Sequence, residues 1–200
     1  MNHLAHFLLA EETPALLVGG LLGDYVKGRL KGQYEPEVET GIKLHRVIDA
    51  FTDKHPTVKT SCRRPEPEFR RVAPIMTDIF YDYFLAKHWS KFHSMSLHQF
   101  SDKVTGSILN YGIELPADAH RFISYLEENR SLENYGDTAF IQRSFIHLNG
   151  RLKRQNPLNI AFSQFEKCES GLEEDFLSFF PELSRFTHTW IEENRLKRVD

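Results

Sequence analysis

Apolar residues recur at three- and four-residue spacing through nearly every sizeable segment of this chain, and no run of alternating β-branched residues is long enough to make a strand. A chain patterned this way must bury its apolar stripes helix against helix. The expected architecture is therefore all-α, a bundle-like single domain over residues 1–200. In the second half, residues 97–111, 116–130, 135–152 and 157–169 carry the helical period between Gly, Pro or Asn signals. The last stretch, 172–196, puts Phe176, Phe179, Phe180, Leu183, Phe186 and Trp190 on one stripe, with a break expected at Pro181. A hydrophobic share of 40% over 200 residues is enough for one sizeable core, and 16 Phe make that core rich in rings.

The first half is less regular and more informative. Residues 3–10 read as a short helix with His3 and His6 one turn apart. Thr13 is a plausible N-cap with Pro14 at the first helical position, opening a helix expected to run to Gly28. Gly19, Gly20 and Gly23 would each cost that helix about 1 kcal/mol against Ala, which calls for close packing or a ligand near the backbone. Asp24 follows as the only acid in an otherwise apolar stretch. Residues 57–66 lack apolar periodicity and read as an exposed connection. Residues 67–88 are strongly helical after Pro74.

Chemistry concentrates in the stretch 41–56. As a helix it places His45, Asp49 and Asp53 at successive four-residue steps along one stripe, with Leu44, Val47, Ile48 and Phe51 as the apolar flank. Such a row is either a salt-bridge ladder or part of a metal site. Asp78 and Asp82, also four apart on a core helix, repel each other unless a cation lies near. Together with His6 and Asp24, these residues gather acids and imidazoles from separate helices in apolar surroundings. Burying that many carboxylates without a positive partner costs several kcal/mol. Arg46 or the pair Arg70-Arg71 could supply the charge; otherwise a metal ion does. A set without cysteine argues for Mn²⁺, Mg²⁺ or Fe²⁺ over structural zinc.

Other classes find little support. A net charge of −3 gives no general attraction to nucleic acid or anionic lipid. No apolar run spans a membrane, and Glu11-Glu12 interrupts what would pass for a signal peptide, so a cytoplasmic protein with Cys62 and Cys168 reduced is expected. The chain lacks GxxxxGK[ST], GxGxxG and GxSxG motifs. His93, His98, His120, His147 and His188 read as surface or capping residues. Lys54, Lys59, Arg63, Arg64, Arg70 and Arg71 form a local basic cluster, able to steer an acidic partner or a phosphate group.

The segments MNHLAHFLLA, Leu21 to Gly28 (LLGDYVKG), GIKLHRVIDAFTDKHP at 41–56, MTDIFYDYFLAKHW at 76–89 and Phe-Phe-Pro at 179–181 resemble, in the same order, the acyl carrier protein phosphodiesterase family. The resemblance implies an HD-domain-like helical fold. It also implies a Mn²⁺-type cation and hydrolysis of the phosphodiester joining 4′-phosphopantetheine to a serine of holo-acyl carrier protein. This chain has no His-Asp dipeptide; His45-Arg46 stands where one would be sought, and Asp49, one turn on, is taken as its substitute. On that basis His6, Asp24, His45, Asp49 and Asp78 are the candidate ligands of a cation that lowers the pKa of a water. Asp82 would orient that water or take its proton, and Arg46 would stabilise charge on the phosphoryl oxygens. The basic cluster would dock the acidic carrier protein. Two other classes remain: a phosphohydrolase of a small phosphate ester or nucleotide, which needs no docking surface, and a non-catalytic helical binding protein.

Overall fold

The computed structural model describes residues 1–196, and among these the chain is all-α. Helix α1 is His3–Leu8, α2 Pro14–Leu22, α3 Pro36–Lys54, α4 Pro56–Ser61 and α5 Ala73–Lys87. Helices α6 Leu97–Leu109, α7 Ala117–Glu128, α8 Thr138–Arg151 and α9 Phe162–Leu196 complete it. Among the described residues no helix is long and apolar enough to cross a membrane, and Cys62 and Cys168 are unbonded thiols.

Helices α2 and α3 pair more extensively than any other two elements, because glycines let their backbones touch. A Cβ on Gly19 would lie 2.3 Å from the Val38 carbonyl oxygen, and one on Gly41 would lie 2.7 Å from that of Leu16. Close helix packing thus answers the cost of Gly19. Gly41→Ala is expected to force the pair apart and cost about 1–3 kcal/mol, as overpacking does. An unchanged urea midpoint for that variant would contradict this reading of the contact.

Behind this pair, α5 is buried on all sides from Ile79 to Leu85, Asp82 included. Its Phe80, Tyr81 and Phe84 meet Phe145, Phe165 and Phe176 ring against ring, the aromatic core expected from composition. Helix α9 closes the far side against α3, α4 and α5.

Three expectations are corrected. Helix α2 stops at Leu22 rather than Gly28, since the chain turns after Gly23 and Gly28 sits at φ +79°. Residues 56–61 are helical, capped by His55 Nδ1 accepting from the Thr57 amide, with Val58 and Ser61 buried. Pro181 does not break α9, which also absorbs residues 162–169. The proline is exposed, so the amide hydrogen bond it lacks is lost on the face where water reaches the backbone. Phe176, Phe179, Phe180 and Leu183 stay buried on the opposite side.

Candidate metal centre

Helix α1 brings His6 to the same point that α3 brings His45 and Asp49. His6 Nε2 lies 3.2 Å from Asp49 Oδ1, and His45 Nε2 lies 3.3 Å from Asp49 Oδ2. Asp24, just past the end of α2, places Oδ1 3.7 Å from the same His45 nitrogen. The two imidazoles are stacked, ring centroids 3.8 Å apart and planes 8° from parallel. Both rings are buried, whereas the Asp24 and Asp49 side chains are 44% and 45% exposed. Nitrogen makes the inner wall and carboxylate oxygen the open rim.

The hydrogen bond behind His45 decides what its other nitrogen offers. Nδ1 lies 2.9 Å from the Gly20 carbonyl oxygen, which can only accept, so Nδ1 carries a hydrogen and in the neutral ring Nε2 presents a lone pair. A carbonyl orienting a histidine this way is a common support for a metal-ligating nitrogen. Gly23 makes room for the ring, since a Cβ there would fall 2.2 Å from His45 Cγ. The Nε2 lone pair then faces oxygens of Asp49 and Asp24, which also accept. Those contacts need a positive charge at this point, either a second proton on the ring, shared with Asp49, or a cation among the three groups.

The spacing suits one. Two donors bonded at about 2.1 Å to one ion, at right angles or slightly wider, lie roughly 3.0–3.4 Å apart. The imidazole–carboxylate separations of 3.2 and 3.3 Å fall in that range. Burial holds His6 down to about 4, so near neutral pH its ring is the uncharged form a metal needs. Its Nδ1 is buried without a hydrogen-bond partner. Burial alone would push the Asp49 carboxyl up, but the His45 and His6 rings beside it outweigh burial and hold it well below the usual carboxylate range.

Asp78 is brought near but not into this group. Its Oδ1 lies 3.0 Å from the buried amino group of Met1, which is 3.8 Å from Asp49 Oδ1. His3 was not among the expected ligands, yet its Nδ1 lies 3.6 Å from Asp24 Oδ2. Its spacing from His6, one turn on a short helix, was the available signal. The Met1 amine had none. Among the described residues, the ion-pair partners of Asp24, Asp49 and Asp78 are imidazoles and this amine, not arginine or lysine.

Arg46 and Asp82 hold the scaffold. Arg46 donates to the Val26 carbonyl at 2.8 Å, strapping down the segment that carries Asp24. Asp82 is fully buried, and its Oδ2 accepts from the Leu4 amide at 2.8 Å, so it caps α1, whose own N-cap residue Asn2 makes no side-chain cap. Burial raises the Asp82 carboxyl to about 7. A carboxyl raised on folding contributes stability that is present below its unfolded value and is lost as pH climbs through the folded one. Asp82→Asn keeps an acceptor for Leu4 and cannot ionise. Relative to this variant, the wild type should lose melting temperature between about pH 4 and pH 7; parallel melting curves across that window would refute it.

The basic cluster divides. Arg64 is taken up by Asp175, with Nε at 2.7 Å and a second nitrogen at 2.8 Å, so it is a structural link rather than a docking group. Lys54, Lys59, Arg63, Arg70 and Arg71 are exposed. Among the histidines set aside, His93 bonds Glu12 at 2.9 Å and accepts from the Met95 amide. His98, with Asp102 and Glu133, forms a largely exposed group against Arg130, an ion-pair network at the surface.

Comparison with known proteins agrees with the motifs. The family model described as acyl carrier protein phosphodiesterase matches residues 1–183. A Serratia proteamaculans protein named acyl carrier protein phosphodiesterase is 35% identical over 184 residues, covering 92% of this chain and 95% of that protein. A Yersinia pestis protein of the same name is 35% identical over 186 residues, covering 92% and 96%. One from Klebsiella pneumoniae is 34% identical over 189 residues, again covering 92% and 96%. No solved structure gives a significant match.

Proposed function

The chain belongs to the acyl carrier protein phosphodiesterase family, and from that premise we propose that it hydrolyses the phosphodiester joining 4′-phosphopantetheine to a serine of holo-acyl carrier protein. Water is consumed, and apo-carrier protein and free 4′-phosphopantetheine result. The observation that carries the metal dependence is the convergence of His6 Nε2 and of His45 Nε2, the latter aimed by Gly20, on the oxygens of Asp49 and Asp24.

In this reading His6, His45 and Asp49 hold a divalent cation, with Asp24 on the rim, and Asp78 completes the set on leaving the Met1 amine. Imidazole with carboxylate suits Mn²⁺, and Mg²⁺ or Fe²⁺ are the alternatives. When bound, such an ion acidifies water and offsets phosphoryl charge. The half-exposed faces of Asp24 and Asp49 leave the oxygen side of the centre open to solvent and substrate. Arg46 keeps the segment of Asp24 in place through Val26. Asp82 acts through α1, fixing the helix that presents His6. An HD-like arrangement is part of the proposal, with histidine and aspartate drawn from separate helices although His45-Arg46 replaces the His-Asp pair.

Lys54, Lys59, Arg63, Arg70 and Arg71 make the side on which an acidic carrier protein would dock. The test is to incubate holo-acyl carrier protein with the purified protein and weigh the carrier by intact mass spectrometry. Conversion to the apo form with Mn²⁺, stopped by chelator and restored by added Mn²⁺, is expected. No conversion with Mn²⁺ present overturns the assignment.

A further inference from the structure

Beside the candidate centre lies a cavity of about 550 Å³. Asp78, which reaches the Met1 amine, lines it, as does Asp53, one turn beyond Asp49 on α3. The stripe His45, Asp49, Asp53 therefore leads from the centre to the cavity wall. Its size lies within the roughly 300–1,000 Å³ of small-molecule sites and is too small for a folded partner.

The lining explains what it would admit. Lys59, Arg63 and Arg70 contribute three positive charges, and among the described residues none of them has an ion-pair partner. Their neighbour Arg64 is instead neutralised by Asp175. Against the three positive charges stand two carboxylates, Asp53 and Asp78, the latter paired with the Met1 amine, so the lining is positive on balance, and guanidinium groups match phosphate oxygens two at a time. Val58, Cys62 and Pro74 give the same wall an uncharged portion. A site with this division fits a molecule that is anionic at one end and has an uncharged stem.

We propose that this cavity binds the phosphorylated arm, its phosphate drawn by Lys59, Arg63 and Arg70 to the edge that Asp78 shares with the candidate centre and its uncharged stem along Val58, Cys62 and Pro74. The identity of the arm as 4′-phosphopantetheine rests on the proposed function. The carrier protein then stays outside, and only its prosthetic arm enters.

The experiment is calorimetric titration of the full-length, chelator-treated protein with 4′-phosphopantetheine and with pantetheine, so that no metal contributes to phosphate binding. Wild type is expected to bind the phosphorylated compound at least tenfold more tightly. Arg63→Gln/Arg70→Gln should lose at least tenfold in affinity for it and none for pantetheine; both positions are exposed, and a melting curve checks the fold. Equal affinity of wild type for the two compounds, or of the variant and wild type for 4′-phosphopantetheine, overturns the proposal. Hydrolysis of holo-carrier protein, followed separately, tells the two readings apart. A wild type that binds the arm selectively without cleaving the carrier refutes the function and leaves the cavity assigned.

Discussion

Asp49→Ala should lower kcat/KM toward holo-acyl carrier protein by at least about 10³-fold, some 4 kcal/mol of barrier. Asp49 is the residue that both stacked imidazoles touch, one through each carboxylate oxygen. Without it His6 and His45 still converge, but no carboxylate lies between them to complete a divalent site. The side chain is about half exposed, so its loss leaves no cavity in the core and the fold should survive. Activity within tenfold of wild type, in a variant whose melting curve shows it folded, would remove Asp49 from the centre. The rim acids offer a graded control. Asp24→Ala/Asp78→Ala should also be strongly impaired, and full activity in that double variant would confine the centre to His6, His45 and Asp49.

Reversing charge on the docking side should produce the second large effect, about 10- to 100-fold at low ionic strength. Lys54 and Arg71 suit this test: both are exposed, and each is next in sequence to a cavity residue, Asp53 or Arg70, without lining the cavity itself. Lys54→Glu/Arg71→Glu should depress kcat/KM for the acidic carrier protein mainly through encounter. The deficit should shrink as salt rises and the Debye length falls from about 10 Å at 0.1 M to about 3 Å at 1 M. A small phosphodiester such as bis-p-nitrophenyl phosphate should be cleaved equally well by variant and wild type. Equal losses on both substrates, or a deficit indifferent to salt, would point to a small phosphate ester as the substrate and not a protein. Arg64 has no place in this test, because replacing it would leave Asp175 and the Ser61 hydroxyl bonded to it without their cation.

The shared stripe of the candidate ligands on α3 is legible in the sequence. The four-residue steps from His45 to Asp49 to Asp53 put those side chains on one stripe whatever the tertiary structure, since helical geometry alone decides it. Gly19, Gly20 and Gly23 call for close packing, and Gly19 against Gly41 and Gly23 under the His45 ring supply it, whereas Gly20 has open space beside it. What periodicity does not convey is which flank of a helix turns inward. Asp78 and Asp82 are one turn apart on α5, yet Asp82 is fully enclosed as the cap of α1 while Asp78 meets an amine beside the cavity. The same limit applies to Arg46, whose bond to Val26 depends on where a non-helical segment returns.

Where the fold departs from the local pattern, tertiary packing outweighs a local signal. Pro181 carries a strong local signal for breaking a helix, and four buried side chains around it outweigh that signal when the lost hydrogen bond faces water. Residues 56–61 lack an apolar stripe because so short a helix needs only Val58 and Ser61 inside. Tyr25 and Val26 extend the apolar pattern past Leu22, where α2 ends. Beyond it the chain is held by tertiary contacts that periodicity does not convey, the Arg46 bond to the Val26 carbonyl among them.

Titrating chelator-stripped protein with Mn²⁺, and following free Mn²⁺ by electron paramagnetic resonance, reads directly whether rods of the bundle converge on one cation. One tightly bound ion per chain is expected for wild type, with that binding lost in Asp49→Ala and in His45→Ala. A wild type that takes up no Mn²⁺, or variants that bind it as wild type does, would contradict the site.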